Sequence, residues 1–152
     1  MPAPFAYVLL YVTLYGAFGV ASPYWPKLFE SKGLTPQQIG LILAAALVMR
    51  LAAGPVLGRL ADLLGSLRLV LASCIVAAAA AAAAYTWADT FWLVLLIALV
   101  QAAALAPTTS LADALTVNAA RPRIEYGRIR GAASAAFLVG TLIIGQLIVP
   151  AD

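Results

Sequence analysis

Five long apolar blocks dominate this sequence, and charged residues are rare within them. The blocks cover approximately Phe5–Tyr24, Ile39–Ala61, Leu69–Tyr85, Phe91–Ala112 and Gly131–Val149. An α-helix needs about 20 mostly apolar residues to cross the ~30 Å hydrocarbon core of a bilayer. The alternating pattern of a membrane β-barrel is missing, and lipid offers no hydrogen bonds to the backbone. We therefore predict an all-α membrane protein with five transmembrane helices.

The composition excludes several classes of site. The 152 residues are 64% hydrophobic and 10% charged, with no His and a single Cys, Cys74. The lack of His and the single Cys exclude zinc sites, disulfide scaffolds and His-based catalysis. We therefore expect no metal, no cofactor and no enzymatic activity. The basic residues are not interleaved with aromatic ones, so the lipid bilayer is an expected partner and nucleic acid is not.

Basic residues beside the apolar blocks predict the orientation, because cytoplasmic loops are enriched in them. The first connection holds Lys27 and Lys32, and the third holds no basic residue. The second and fourth connections hold Arg59, Arg68, Arg121, Arg123, Arg128 and Arg130. We therefore expect a cytoplasmic N-terminus. The aromatic belt at the outer interface would then contain Trp25, Tyr85, Trp87 and Trp92.

The ends of the blocks carry turn and capping signals. We assign Pro23, Pro26, Gly33 and Pro36 to the first connection, with Thr35 as a candidate N-cap of the second helix. The first block lacks preceding basic residues and is too long for a signal peptide, so we expect it to be retained as a helix. The stretch Ala77–Ala84 is interpreted as a packing face, because small side chains let membrane helices approach closely.

Arg50 is the most informative polar residue of the sequence. It lies about 16–18 Å from either end of the second block at 1.5 Å per residue, near the bilayer centre. An arginine there costs at least ~2.5–3.5 kcal/mol to insert and must face protein or a water-filled cavity. Its planar guanidinium suits a substrate carboxylate. The alternative is a structural ion pair with an acidic residue elsewhere.

Two further polar side chains lie at a similar depth, Tyr15 in the first block and Gln101 in the fourth. Together with Arg50 they predict a polar, substrate-binding cavity, although both residue types also form hydrogen bonds purely between helices. Pro107 is followed by three hydroxyl residues and predicts a kink in the fourth helix. The kink could serve a rocking motion or be a static bend.

Charged residues on the predicted cytoplasmic side form a second candidate group. Gly58 and Gly65 flank Asp62 in the connection that ends at Arg68, where the glycines permit a tight turn. Asp113 faces the connection that contains Arg121, Arg123, Glu125, Arg128 and Arg130. We hypothesise that Asp62 and Asp113 pair with some of these arginines in the outward-facing state and separate when the inner side opens. Capped turns and solvated surface charge are the alternatives.

The segment Gly58–Arg68 resembles the signature between helices two and three of the major facilitator superfamily, although Leu63, Ser66 and Leu67 replace frequent basic residues. Two further sets of residues are similar to the phenylpropionate permease group of that superfamily, and the second also to nucleoside and sugar symporters. The first set is Ser22–Pro26, Lys32–Thr35, Ile39–Leu41 and Arg50. The second set is Asp113–Leu115, Tyr126, Gly127, Arg128, Ile129, Arg130 and Ser134, with Ala132 and Ala133 in place of a usual Trp-Gly pair.

This resemblance implies a twelve-helix fold, of which residues 1–152 would be the N-terminal six-helix bundle without its last helix. It implies proton-coupled uptake of a small molecule across a bacterial inner (plasma) membrane, and the aromatic organic acids of the phenylpropionate permease group would suit Arg50. The proton would be carried by Asp113 or by the missing C-terminal half. The resemblance implies a conformational role for Gly58, Asp62, Gly65, Arg68, Asp113, Tyr126, Gly127, Arg128 and Arg130.

Other functions stay open at this stage. A sugar, nucleoside or multidrug transporter of the same superfamily fits most of the motifs. A small dimeric exporter would need an acidic residue midway through the first helix, and the stretch from Met1 to Pro26 has none. An intramembrane enzyme would need a nucleophile–base or metal constellation that the sequence does not offer. A noncatalytic scaffold or a truncated, non-transporting fragment is the remaining alternative.

Overall fold

The computed structural model describes residues 3–119 and 123–148, with side chains from 5 to 117 and from 126 to 148. The helices are α1 (Ala3–Ser31), α2 (Pro36–Leu64), α3 (Leu67–Ala84), α4 (Phe91–Leu105), α5 (Thr108–Ala119) and α6 (Arg123–Ile148). A 3₁₀ turn, Tyr85–Trp87, follows α3, and these ranges contain no strand. Five helical stretches are long and apolar enough to cross a membrane: Phe5–Ser31, Pro36–Leu64, Leu67–Trp87, Phe91–Val117 and Tyr126–Ile148. The predicted all-α class with five spans is confirmed.

Helix α1 extends further than the sequence indicated. It continues through Pro23 and Pro26 to Ser31, so both prolines lie inside the helix and not in a connection. A proline inside a helix removes one backbone hydrogen bond and leaves a carbonyl without its donor. At Pro23 the affected carbonyl is that of Gly19, and it accepts a hydrogen bond from the Thr141 hydroxyl at 3.1 Å. A neighbouring helix therefore compensates for the proline.

Both ends of α2 have well-formed caps. The Thr35 hydroxyl accepts from the Gln38 backbone N–H at 3.3 Å, and the Gln38 side chain accepts from the Thr35 N–H at 2.9 Å. This capping box, with Pro36 in the first turn, confirms Thr35 as the N-cap. At the other end Gly65 adopts the left-handed conformation, with φ 61°. The turn therefore needs a glycine at Gly65, whereas Gly58 lies inside the helix.

The predicted kink at Pro107 is a break between α4 and α5. The Ala106 N–H donates to the carbonyls of Ala102 and Ala103, and the Thr108 hydroxyl donates to the Leu105 carbonyl at 2.7 Å. Because Pro107 has no N–H to continue the helical ladder, these local bonds satisfy the carbonyls around it.

The start of α6 also differs from the prediction. Its backbone is helical from Arg123, whereas the sequence suggested a helix from Gly131. Arg128 and Arg130 therefore belong to the helix and not to a connection. Arg121 lies outside the described residues, and the side chains of Arg123 and Glu125 are likewise not described. Charge at the end of an apolar block therefore does not end the helix.

The chain forms two compact units, and the first combines its two ends, Met1–Gly33 and Thr116–Asp152. Here α1 packs on α6 through glycines. A Cβ atom on Gly19 would lie 2.2 Å from the Phe137 carbonyl oxygen, and one on Gly140 would lie 2.8 Å from that of Gly16. The two backbones are therefore in direct contact, as in other small-residue helix interfaces in membranes.

The second unit is Leu34–Leu115, in which α4 packs against both α2 and α3. The side of α3 that is buried repeats at helical spacing through Cys74, Ala78 and Ala81 and continues to Tyr85. Small residues on this stripe let α3 and α4 approach closely. The alanine-rich stretch thus contributes a packing face, as the sequence predicted.

Candidate functional site

Arg50 occupies the middle of the longest apolar helix of the second unit. It is the fifteenth of the 29 residues of α2, about 21 Å from either end of the helix. Its side chain is exposed, and its neighbours Leu47 and Leu51 are 61% and 72% exposed. A guanidinium at this depth requires water, a ligand or another protein segment beside it, because hydrocarbon does not solvate it. The role of Arg50 as a binding group for a substrate carboxylate stays a prediction.

Gln101, in contrast, is 8% exposed and has a partner in the 3₁₀ turn that follows α3. Its Oε1 atom accepts a hydrogen bond from the hydroxyl of Tyr85 at 3.3 Å. Tyr85 is itself 2% exposed. The expectation that Tyr85 belongs to the outer aromatic belt is therefore replaced by an internal role, whereas Trp87 and Trp92, each 74% exposed, lie on the surface.

Tyr15 belongs to a row of aromatic residues along α1. Its ring stacks on that of the fully buried Tyr11, with centroids 5.9 Å apart, and meets the ring of Phe18 edge-on at 6.2 Å. The guanidinium carbon of Arg130, on α6, lies 5.8 Å from the centroid of the Tyr15 ring. This is a cation–π geometry. The structure thus brings together two residues to which the sequence assigned different roles, substrate binding for Tyr15 and a conformational one for Arg130.

At the turn between α2 and α3, the end of α2 and the start of α3 are both capped. The Gly65 N–H donates to the Asp62 carbonyl at 3.2 Å, and the Ser66 hydroxyl accepts from the Leu69 N–H at 3.4 Å. The carboxylate of Asp62 and the guanidinium of Arg68 are exposed, and neither forms an ion pair with a residue that the structure describes. The pairing of Asp62 with arginines in the outward-facing state stays a prediction.

The remaining predicted residues lie on two helices. Asp113 is half-buried on α5, six residues after Pro107. Tyr126, Gly127 and Arg128 occupy the first turns of α6, where Tyr126 is half-buried and the other two are exposed. Their conformational roles stay predictions.

Two polar residues form contacts that were not predicted: Tyr85, which was assigned to the aromatic belt, and Thr141. The spacing of Cys74, Ala78, Ala81 and Tyr85 places all four on one helix face, and this signal was available in the sequence. Nothing in the sequence alone indicates that Thr141 meets Gly19, 122 residues away. The part of the chain that the structure describes contains no group of three His, Cys, Asp or Glu side chains able to hold a metal ion.

Comparison with known proteins identifies relatives of this chain. Residues 5–150 match the MFS_1 like family. The chain is 29% identical over 147 residues to the probable 3-phenylpropionic acid transporter of Escherichia coli (strain K12). That alignment covers 93% of this chain and 38% of the relative, so the chain spans well under half of the relative's length. No solved structure gives a significant match.

Proposed function

Because this chain belongs to the MFS_1 like family, we propose that it is part of a secondary active transporter, and that the whole protein takes up a small aromatic organic acid with protons. The family and the five spans make it an integral membrane protein of the major facilitator type. The relative's name supports a phenylpropionate-like substrate. Such transport involves no change in the covalent structure of the substrate, in keeping with the expectation that the protein is not an enzyme.

Arg50 is the observation that carries the substrate class. Its exposed guanidinium lies at the centre of α2, where a charge is costly unless water or a polar group solvates it. An arriving carboxylate offers two oxygen atoms that match the guanidinium fork, and such charge-assisted pairs are about twice as strong as neutral hydrogen bonds. Tyr15 and Gln101 are proposed as further substrate contacts, since both lie well inside the membrane-spanning helices.

Asp113 is our proposed proton carrier within this chain, with a residue in the remaining part of the transporter as the alternative. It is half-buried on the helix that follows the break at Pro107. A carboxylate inside a spanning helix is costly when charged, so protonation and substrate movement can be coupled there. The residues of the α2–α3 turn and of the start of α6 are proposed to act in the conformational change.

The proposed setting is a bacterial inner membrane with the N-terminus in the cytoplasm. The other part of the transporter, beyond the 38% that aligns, is proposed as the partner that completes the binding site, since such sites form between repeated halves. Blotting native membranes with an antibody to the segment Lys27–Lys32 would measure the product size. We expect roughly 400 residues, as twelve spans and their loops require. A product of 152 residues would contradict the two-half arrangement.

The function is tested by uptake of radiolabelled 3-phenylpropionate in cells that express the native gene. We expect Arg50→Ala to abolish uptake while the amount of protein in the membrane stays unchanged, because the carboxylate loses its charged partner. Arg59→Ala, on the same helix but near its end, is the matched control and should retain uptake. Undiminished uptake by Arg50→Ala would show that Arg50 does not bind the substrate.

The wild-type protein also separates the substrate classes. We expect an excess of unlabelled aromatic carboxylate to inhibit uptake, and a nucleoside or sugar to leave it unchanged. Inhibition by the nucleoside or sugar alone would move the assignment to those symporters. A protonophore should abolish accumulation if protons are the coupling ion.

A further inference from the structure

The side chain of Gln101 is only partly satisfied by the protein. A glutamine amide has an acceptor oxygen and two donor N–H groups. The oxygen accepts from Tyr85 at 3.3 Å, whereas the Nε2 group forms no hydrogen bond with the residues that the structure describes. No fully buried side-chain nitrogen or oxygen in that part of the chain lacks a partner. The Nε2 group therefore lies at an accessible point, although the residue is 8% exposed.

The local fold explains why the two side chains meet. Tyr85 follows the last turn of α3, and Gln101 lies ten residues into α4, with a short turn between the two helices. Side chains on a helix tilt toward its N-terminus. Tyr85 is therefore directed back along α3, away from the turn, and Gln101 is directed along α4 toward the turn. Because the helices run in opposite directions, the two side chains converge.

The Tyr85 hydroxyl determines which end of the amide is available. The ring is buried, so the hydroxyl is held in place and occupies the acceptor oxygen of Gln101. We propose that Tyr85 is a positioning residue that commits the Gln101 amide to donating its N–H groups to the substrate. The site then prefers an acceptor such as a carboxylate over a donor of the same shape. This inference rests on the proposed transport of an organic acid.

A purely structural link between α3 and α4 does not explain this arrangement. In a membrane interior each polar group without a partner is unfavourable by several kcal/mol. If the Tyr85 hydroxyl needed only an acceptor, a backbone carbonyl would be sufficient. No side-chain N–H group would then be left without a partner. The unpaired donors become favourable when a ligand or water accepts from them. The accessible Nε2 group is thus the part of this pair that points to a ligand.

The test compares two probes of nearly equal shape, 3-phenylpropionate and its neutral amide, 3-phenylpropionamide. In cells that express the native gene, inhibition constants of both probes against labelled 3-phenylpropionate would be measured for wild type and Tyr85→Phe. The variant keeps the ring and removes the hydroxyl, so the Gln101 amide becomes free to rotate. We expect the preference for the carboxylate to fall about tenfold, with a higher KM and little change in maximal rate. Tyr24→Phe, at an exposed tyrosine, is the matched control.

An unchanged ratio of the two inhibition constants in Tyr85→Phe would overturn the proposal, even if total uptake fell. Gln101→Met provides a second test if Tyr85→Phe reaches the membrane poorly. It keeps a side chain of similar length and removes the N–H donors, so we expect the carboxylate to lose more than tenfold in affinity relative to the amide. An unchanged preference in that variant also overturns the proposal.

A failure of this inference can be distinguished from a failure of the proposed function. If the wild-type protein transports 3-phenylpropionate and the ratio is unaffected by both variants, only the role of Tyr85 is refuted. If the wild-type protein neither transports nor is inhibited by either probe, the proposed function fails and the inference falls with it.

Discussion

The Thr141 hydroxyl donates a hydrogen bond to the carbonyl oxygen of Gly19, and Pro23 is the reason that this carbonyl is available. In a regular helix the N–H four residues later would be its donor, and proline has none. The single hydrogen of this hydroxyl is shared with the Phe137 carbonyl of its own helix, whose oxygen lies 2.9 Å away. A threonine on α6 thus allows α1 to continue through a proline without an unsatisfied group in the membrane.

Thr141→Val should destabilise the protein by about 1 kcal/mol, a typical value for a hydrogen bond between membrane helices. Valine matches the shape of threonine, so the loss reports the hydroxyl alone. Thr141→Ser keeps the hydroxyl and should stay within about 0.5 kcal/mol of wild type, the usual spread for a mild substitution. The measurement is unfolding of the purified protein in mixed micelles by increasing denaturing detergent. Equal stability of the valine and serine variants would contradict this role.

Gly19→Ala should be more damaging, because its methyl group would lie 2.2 Å from the Phe137 carbonyl oxygen. The helices must separate to accommodate it, and such overpacking typically destabilises by about 1–3 kcal/mol. Gly16→Ala, one turn earlier on the same helix, is the control, since a Cβ there meets nothing within 4 Å. Thermal loss of the monodisperse peak in size-exclusion chromatography compares the two. Similar midpoints would show that α1 and α6 are not in direct backbone contact.

Alanine substitutions at the two glycines near the C-terminal end of α2 should change the stability of the protein in opposite directions. Gly65 has φ 61° and open space around it, so Gly65→Ala is disfavoured by conformation alone, by about 1–2 kcal/mol. Gly58 lies in a helical turn with open space, so Gly58→Ala should stabilise by up to ~1 kcal/mol. The same detergent unfolding assay measures both. A stabilised Gly65→Ala variant would mean that the turn does not need the left-handed conformation.

The predicted orientation can be read by labelling single cysteines in intact cells. Cys74 is the only cysteine in these 152 residues, so Cys74→Ala removes their background, and any cysteine elsewhere in the transporter is replaced in the same way. An impermeant maleimide added outside should react with Lys32→Cys and leave Ser66→Cys unmodified until the cells are permeabilised. The reason is the excess of arginine beside the α2–α3 and α5–α6 connections. The reverse pattern would place the N-terminus outside.

The existence of the five spans follows from the sequence because length and apolarity are sufficient to predict them. Their ends do not follow in the same way. Pro23 and Pro26 normally indicate a helix end, but a hydroxyl from a distant helix compensates for the first. Arg128 and Arg130 were assigned to a connection because charge is expected outside the bilayer, yet they lie within the first turns of a helix that begins at Arg123. Local signals do not report long-range partners.

The sequence predicted how far along their helices the candidate residues lie, but not whether their side chains are exposed or buried. Arg50 and Gln101 were both placed inside the membrane by counting residues, yet the structure exposes the first and buries the second. Tyr85 was assigned to the interface because it stands near two tryptophans. Its position on the stripe that begins at Cys74 gives the better interpretation, since the periodicity of small residues identifies the face that packs on another helix.

The contact between Gly19 and Thr141 also has a consequence for biosynthesis. The two residues are 122 positions apart, so at about 5–20 residues per second the ribosome takes roughly 6–24 s to supply the donor after the acceptor has been made. During this time α1 has entered the membrane with the Gly19 carbonyl still lacking the Thr141 hydroxyl. We therefore expect nascent α1 to remain beside the insertion machinery or a water-filled crevice until α6 arrives, and ribosome-stalled chains that stop before Thr141 to be more readily extracted and degraded.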